Sequence, residues 1–181
     1  MAQYWLDIHT DARSDAEILA LFELINCRDA LNTHSMSVVT KDGLRALRIG
    51  RAAGTSVALA RLIEAGSASA VDVVARMKVE SVSTTAPGGL VCRATAVASS
   101  TAQWYCGYST GAGSIIGRQD TAGTPPTALA SGSSGVDQAQ YHYRRLLVSG
   151  SSLSQKVWAG ARGDEPGTWL LTASDSTYSG G

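Results

Sequence analysis

At 181 residues with 44% apolar side chains, the chain is long and hydrophobic enough to bury one core, and too hydrophobic for disorder. Fifteen basic and 15 acidic residues cancel to zero net charge and are interspersed without runs. That excludes an electrostatic footprint for a nucleic-acid backbone or an anionic membrane, and no segment has the length and continuity of a transmembrane helix.

Phe occurs once against 19 glycines, and Gly/Ser-rich punctuation recurs throughout. Short segments spaced this way favour an all-β sandwich over a helix bundle. The opening MAQYWLDIHTD lacks a basic n-region followed by an apolar h-region, so synthesis in a cytoplasm is expected. Cys27, Cys92 and Cys106 have no C-x-x-C spacing; they read as reduced, mostly buried thiols, with no disulfide framework and no zinc site.

In chain order, QYWLDI (3 to 8) is a terminal strand. Ser14 to Asn26 is the one helix expected: Ser14 and Glu17 have capping-box spacing, and Ile18, Leu21, Phe22 and Ile25 follow with helical period. Residues 32 to 41 are ambiguous, with Val38 and Val39 suggesting a strand. Lys41-Asp42-Gly43 is a turn, LRALRI (44 to 49) has no decided face, and VALARLIEAG (57 to 66) is a further strand.

The clearest strand is Val71 to Glu80. Val71, Val73, Ala75, Met77 and Val79 share one side, with Asp72, Val74, Arg76, Lys78 and Glu80 on the other. Cross-strand pairing is expected for the outer charges Arg76, Lys78 and Glu80. Strands follow at GLVCRATAV (89 to 97), QWYCGYS (103 to 109), SIIGRQD (114 to 120) and PTALAS (126 to 131). The glycine runs GAGSIIG (111 to 117) and GSSG (132 to 135) read as hairpin turns rather than phosphate loops.

The stretch 140 to 176 is a three-strand meander: QYHYRRLLVSG, SSLSQKVWAG, then a turn ARGDEPG leading into TWLLTASDS. Leu153, Gln155 and Val157 share a face against Ser154, Lys156 and Trp158; Trp169, Leu171 and Ala173 share a face against Leu170, Thr172 and Ser174. Arg162-Gly163-Asp164 is a tight turn rather than an adhesion tripeptide.

A family resemblance enters on these residues: GLVCRATA; Tyr141, Tyr143, Arg145, Val148 and Gly150; Leu153, Val157 and Trp158; Gly163, Glu165, Pro166 and Trp169; Thr172, Ala173, Asp175 and Ser176. Over roughly the last two-thirds of the chain the pattern resembles the concanavalin A-like (laminin G-like) jelly roll of phage tail and fibre proteins and secreted bacterial glycan-binding modules. The opening MAQYWLD also resembles the start of a phage virion protein.

The resemblance implies a single antiparallel β-sandwich of jelly-roll type with one short N-terminal helix. Residues 1–43 would be a divergent strand and helix segment, and 44–181 the sandwich body. Two departures stand out. Arg144 occupies a position where a core-facing apolar residue is expected, so either the register shifts or the guanidinium finds a buried acceptor. The family pattern goes on to closing strands where this chain reaches Tyr178. Closure by another subunit and a longer polypeptide both account for that, the second being the expectation.

Nothing is read as catalytic. Retaining glycosidases of this fold need two carboxylates facing one cleft about 5 Å apart from a Glu-x-Asp-x-x-Glu strand, which this chain lacks. Asp164-Glu165 lies in a turn, and Asp72 and Glu80 are roughly 26 Å apart along a strand. His9, His34 and His142 have no metal-ligand spacing, and His142, between Tyr141 and Tyr143, reads as structural. No carboxylate-rich loop supports calcium, and no cofactor is expected.

The remaining candidate is aromatic: Trp104, Tyr105, Tyr108, Tyr141, Tyr143 and Trp158. Such rings either fill the space between sheets and subunits or stack on sugars as a carbohydrate-binding surface. The resulting expectation is a structural bacteriophage virion protein (tail, baseplate, fibre or head-attached), located in the virion. Its partners would be other virion proteins, copies of itself and host-surface glycan. The alternatives are a secreted carbohydrate-binding module and, without its acid pair, a sandwich-fold glycoside hydrolase or lyase.

Overall fold

The computed structural model describes residues 11–26, 34–51, 58–62, 70–79, 89–95, 103–110, 113–121 and 124–178. The expected strand at 3 to 8, Cys27, Glu80 and the chain end beyond Tyr178 lie outside them.

The N-terminal helix is shorter than its periodicity suggests. α1 (Asp15–Leu19) has the expected capping box: Glu17 N–H donates to Ser14 Oγ at 3.3 Å, and Ser14 N–H donates to Glu17 Oε2 at 2.7 Å. Leu21 N–H bonds Ile18 O and the helix stops. Phe22 and Ile25, expected to extend it, belong instead to β1 (Phe22–Asn26), which pairs antiparallel with β4 (Ala58–Leu62) from Phe22↔Leu62 to Asn26↔Ala58. Aromatic and β-branched residues with a partner strand available gain more from a ladder than from another helical turn.

β2 (His34–Lys41) and β3 (Leu44–Arg51) form a hairpin closed by Asp42 (φ 52°) and Gly43 (φ 75°). Two successive positive φ values make the turn type I′, whose twist matches the flanking strands. Arg45 pins α1 to this hairpin by bonding the Asp15 carboxylate at 2.5 Å and Asp11 O at 2.9 Å.

The remaining strands make two four-stranded antiparallel sheets packed face to face. They are β5 (Ala70–Met77), β6 (Gly89–Thr95), β7 (Gln103–Thr110), β8 (Gly113–Gln119), β9 (Thr127–Ser133), β10 (His142–Ser149), β11 (Ser152–Trp158) and β12 (Leu171–Ser174). One sheet has the order β12-β11-β10-β5, the other β6-β7-β8-β9. The fold is an all-β sandwich with one short helix. Successive strands stay within a sheet for several hairpins before crossing, so the order establishes a sandwich without establishing a jelly roll. The strand expected at 114 to 120 is β8, which starts at Gly113 within the glycine run read as a turn, and Gly132 and Ser133, also expected in a turn, are part of β9.

Leu90, Cys92, Tyr105, Ile116, Leu146, Val148, Leu153, Leu171 and Tyr178 form the core, with Val71, Val73, Ala75 and Met77 packed against it. The inner face assigned to β5 is therefore correct, as are Leu171 and Ala173 on β12 and the buried free thiols Cys92 and Cys106, which burial pushes up to about 12. At the open end of the sandwich, Tyr178 is 6% exposed; its hydroxyl donates to Asp120 Oδ1 at 2.7 Å and Gln119 O at 3.0 Å. Beside it Tyr105 donates to Asp175 Oδ1 at 2.6 Å. Burial alone would raise the Asp175 carboxyl, but hydrogen bonds from Tyr105, Thr177 and Arg118 outweigh it and bring it down to about 2.

β10 alternates inward (His142, Arg144, Leu146, Val148) and outward (Tyr143, Arg145, Leu147). Of the two outcomes foreseen for Arg144, the structure takes the buried acceptor. Arg144 is 0% exposed; Nη1 donates to Gln155 Oε1 at 3.1 Å and Ser114 Oγ at 3.3 Å, and Nη2 to Gln138 Oε1 at 3.1 Å and Ser109 Oγ. None of these partners is charged. Burial lowers the guanidinium to about 10, so it stays cationic at neutral pH. Gly107 makes room for the network, because a Cβ there would sit 2.1 Å from Gln155 Oε1.

Gly107→Ala should therefore cost about 1–3 kcal/mol by overpacking against an amide with no free direction to move. Arg144→Ala should cost at least as much, since it leaves Gln138, Gln155 and Ser109 without their donor and Ser114 with Gln155 alone. Urea unfolding of both variants checks this; a Gly107→Ala midpoint equal to wild type would overturn it.

Stability should also fall on acidification in two legs. Burial, with Arg144 nearby, holds His142 below the usual 6.5. As pH drops through 6.5 the unfolded chain takes up a proton that the folded core refuses, and stability declines. Asp175 adds a second loss as pH falls from 3.8 towards about 2. Urea midpoints measured from about pH 8 to 3 should show both legs in wild type and only the lower one in His142→Asn.

Candidate functional site

The outer face of the β12-β11-β10-β5 sheet carries the densest chemistry among the described residues. Register fixes it in cross-strand rows: Arg76, Tyr143 and Trp158; then Val74, Arg145 and Lys156; then Asp72, Leu147 and Ser154. Successive rows lie roughly 7 Å apart, two residues along a strand.

In the first row Tyr143 and Trp158 are stacked, with centroids 5.2 Å apart and planes 14° from parallel. The Arg76 guanidinium carbon lies 5.1 Å from the Tyr141 ring centroid and 5.9 Å from that of Tyr143. Lys78 Nζ sits 5.5 Å from the Tyr141 centroid and pairs with Asp42 of the β2–β3 turn at 2.7 Å. Tyr141 OH donates to Lys41 O at 3.3 Å, so the same hairpin braces this edge twice.

In the second row Arg145 bonds both Asp72 oxygens, at 2.9 Å and 2.5 Å, and Glu165 Oε1 at 2.5 Å. Lys156 Nζ reaches the same Glu165 oxygen at 2.8 Å and Pro166 O at 2.6 Å. The hydrogen bonds to Asp72 and Glu165 raise Arg145 despite its partial burial. Burial would raise the Glu165 carboxyl, but hydrogen bonds from Lys156 and Arg145 keep it below the usual carboxylate value. Both cations lie over the Trp169 ring, Lys156 at 4.7 Å and Arg145 at 5.4 Å. Beside them opens a cleft of about 320 Å³ lined by Ser134, Lys156, Val157, Pro166, Thr168, Trp169 and Leu170.

Trp158 projects opposite Val157, as its alternation implied, yet it is only 4% exposed, with Nε1 donating to Ala161 O at 3.0 Å. The Arg162–Asp164 segment closes that loop as a single 3-10 turn, in keeping with its reading as a tight turn.

The expected aromatic set divides in two. Tyr141, Tyr143 and Trp158 come together on this face, where the two tyrosines are half-buried. Trp104, Tyr105 and Tyr108 lie on β7 in the other sheet and are 3%, 0% and 4% exposed. β7 runs six consecutive buried residues, so both its sides are covered and none of its rings offers a face to a sugar. Tyr105 belongs to the core, while Tyr108 lies near Pro126 on the opposite side of the strand.

Trp169 was expected to share a face with Leu171 and Ala173, which the structure packs on the core. It lies outside instead, because β12 begins only at Leu171 and the turn after Pro166 and Gly167 sets the preceding residues. The Pro-Gly pair was the available signal that strand alternation does not yet apply there. Arg76, expected to pair across strands with a neighbour, has Tyr143 as its register partner and lies against tyrosine rings.

A Gly-x-Ser-x-Gly run, Gly107 to Gly111, matches the letters of a nucleophile elbow. Ser109 lies inside β7, 1% exposed, with its hydroxyl accepting from Arg144. An elbow needs an exposed serine between a strand and a helix. Among the described residues no group of His, Cys, Asp and Glu could hold a metal ion, and no helix is long and apolar enough to cross a membrane. No family model, characterised protein or solved structure matches the chain.

The loop over Trp158 depends on Gly160, whose φ of 91° disfavours a side chain and where a Cβ would sit 2.6 Å from Asp164 Oδ2. Gly160→Ala should cost about 1–3 kcal/mol and raise acrylamide quenching of Trp fluorescence as Trp158 is uncovered. Unchanged quenching would show that the loop does not depend on this geometry.

Proposed function

We infer that this chain is a non-catalytic structural protein of a bacteriophage virion, assembled as an oligomer, that contacts host-surface glycan through the outer face of the β12-β11-β10-β5 sheet. The phage setting rests on the resemblance of the 140 to 176 stretch to tail and fibre jelly-roll domains. The contact rests on one observation: Trp169 stands beneath Lys156 and Arg145 at the wall of a cleft that also presents Thr168 and Ser134. An aromatic ring for the apolar face of a sugar, with hydroxyls and cations for its oxygens, is the combination that carbohydrate recognition needs.

Lys156 and Arg145 are already bonded to Glu165, so the cleft is rigid before a ligand arrives and little ordering entropy opposes binding. Glycan-array binding by the full chain should fall at least about fivefold in Trp169→Ala, the equivalent of about 1 kcal/mol of ring contact. It should be unaffected by Trp104→Phe on the other sheet. Binding retained in Trp169→Ala with folding intact would remove this site. A monomer found only free of particles would overturn the virion assignment.

A further inference from the structure

We propose that the first row of this face is an oxyanion-reading subsite, in which Arg76 receives the carboxylate of an acidic saccharide. This rests on the reading above that the face meets glycan, and it names the class of glycan.

The argument begins with charge. On the described part of the face Lys78 is answered by Asp42, and Arg145 and Lys156 share Asp72 and Glu165. Arg76 is exposed and, among the described residues, has no carboxylate within ion-pair distance and no hydrogen bond from its guanidinium. Its neighbours are the Tyr141 and Tyr143 rings. Among the described residues of this face the other cations are matched by carboxylates and Arg76 is not, which leaves its donors for a group outside them.

Geometry then selects the partner. A guanidinium lying over aromatic rings keeps its N–H fork, because the cation–π contact uses none of its donors. That fork meets a planar carboxylate through two parallel bonds, which a neutral hydroxyl cannot reproduce. The rings holding Arg76 are themselves fixed: Tyr143 by Trp158 at 5.2 Å and Tyr141 by Lys41 O at 3.3 Å. The guanidinium is therefore oriented before the ligand arrives. The Trp169 cleft lies by the next row, roughly 7 Å along the strands and two strands (about 10 Å) across the sheet, so an oligosaccharide of a few units can set its carboxylate on Arg76 and a ring further along against Trp169. A saccharide suits this pair of features better than an acidic peptide, because the cleft offers an indole ring and hydroxyls rather than an open strand edge.

The test is calorimetric titration of the full chain with a glucuronate-containing tetrasaccharide, and with the same tetrasaccharide after its carboxyls are reduced to alcohols. The acidic form should bind about tenfold more tightly, and its advantage should shrink as sodium chloride is raised. Arg76→Gln should abolish the difference between the two forms, and Arg76→Lys should retain only part of it, since a point charge lacks the fork. Thermal melting of both variants should match wild type because the side chain is exposed. Equal affinity for both sugars, or an acid preference surviving in Arg76→Gln, overturns this subsite while leaving the glycan reading of the face intact. Binding of neither sugar overturns the glycan reading itself. A glutamate-rich peptide binding more tightly than the acidic sugar overturns the saccharide assignment.

Discussion

Everything on the outer face depends on a cation inside the sandwich. Moving a guanidinium out of water costs several kcal/mol even after the surroundings relax. Arg144 meets that cost with neutral oxygens alone: Ser109 and Ser114 from one sheet, Gln155 from its own, and Gln138 from the approach to β10. Because these acceptors come from both layers, the network sets how the sheets face one another as well as what fills the space between them. It also fixes β10 in register. A one-residue slip would bring Tyr143 and Arg145 inward and strand Arg144 outside its acceptors, which is prohibitive. The rows that present Arg76, Tyr143, Arg145 and Lys156 to solvent follow from a choice made on the buried side.

A second polar node closes the open end of the sandwich. Arg93, at a register break in β6 and with φ 51°, donates to Gly150 O at 2.6 Å and Tyr178 O at 3.0 Å. Tyr178 N–H donates in turn to the Tyr105 hydroxyl at 3.0 Å. The segment from Asp175 to Tyr178 thereby covers core residues at this end. The core is lined at this end by hydrogen-bonded rings rather than by aliphatic side chains, which accounts for tyrosines in a chain with a single phenylalanine.

Local patterns were legible where one side of an element is buried and the other is not. The alternation of Val71 to Met77, the capping box at Ser14 and Glu17, and the two-residue turn at Asp42 and Gly43 each have a local physical cause. Arg144 was legible as an anomaly, since a charge on an inner face must find a partner or move, but its acceptors are distant in sequence and carry no pattern of their own. Phe22 and Ile25 were misread because helical spacing over a few residues is weak evidence against a strand partner some 35 residues on. The two uses open to the β7 rings stayed undecided for another reason: alternation shows which side of a strand a ring occupies, never whether a second layer covers that side. Arg76 escaped because register, which sets Tyr143 opposite it, is a property of two strands together.

The loop from Gly160 to Trp169 is what turns a sheet face into a site. Its first half caps Trp158 through Ala161 O, and Asp164 closes the turn by accepting from Ala161 N–H at 2.7 Å. Its second half brings Glu165 between Arg145 and Lys156 and sets Trp169 beneath them. One short connection therefore buries one indole and presents another, and together with Asp72 of β5 it neutralises two cations, while Arg76, one row away, has no carboxylate among the described residues. Had the loop carried its acid one row over, Arg76 would be paired and the face would be an ordinary solvated surface. The placement of a single carboxylate separates the closed charge network around Glu165 from the row beside it, where Arg76 lies against two tyrosine rings.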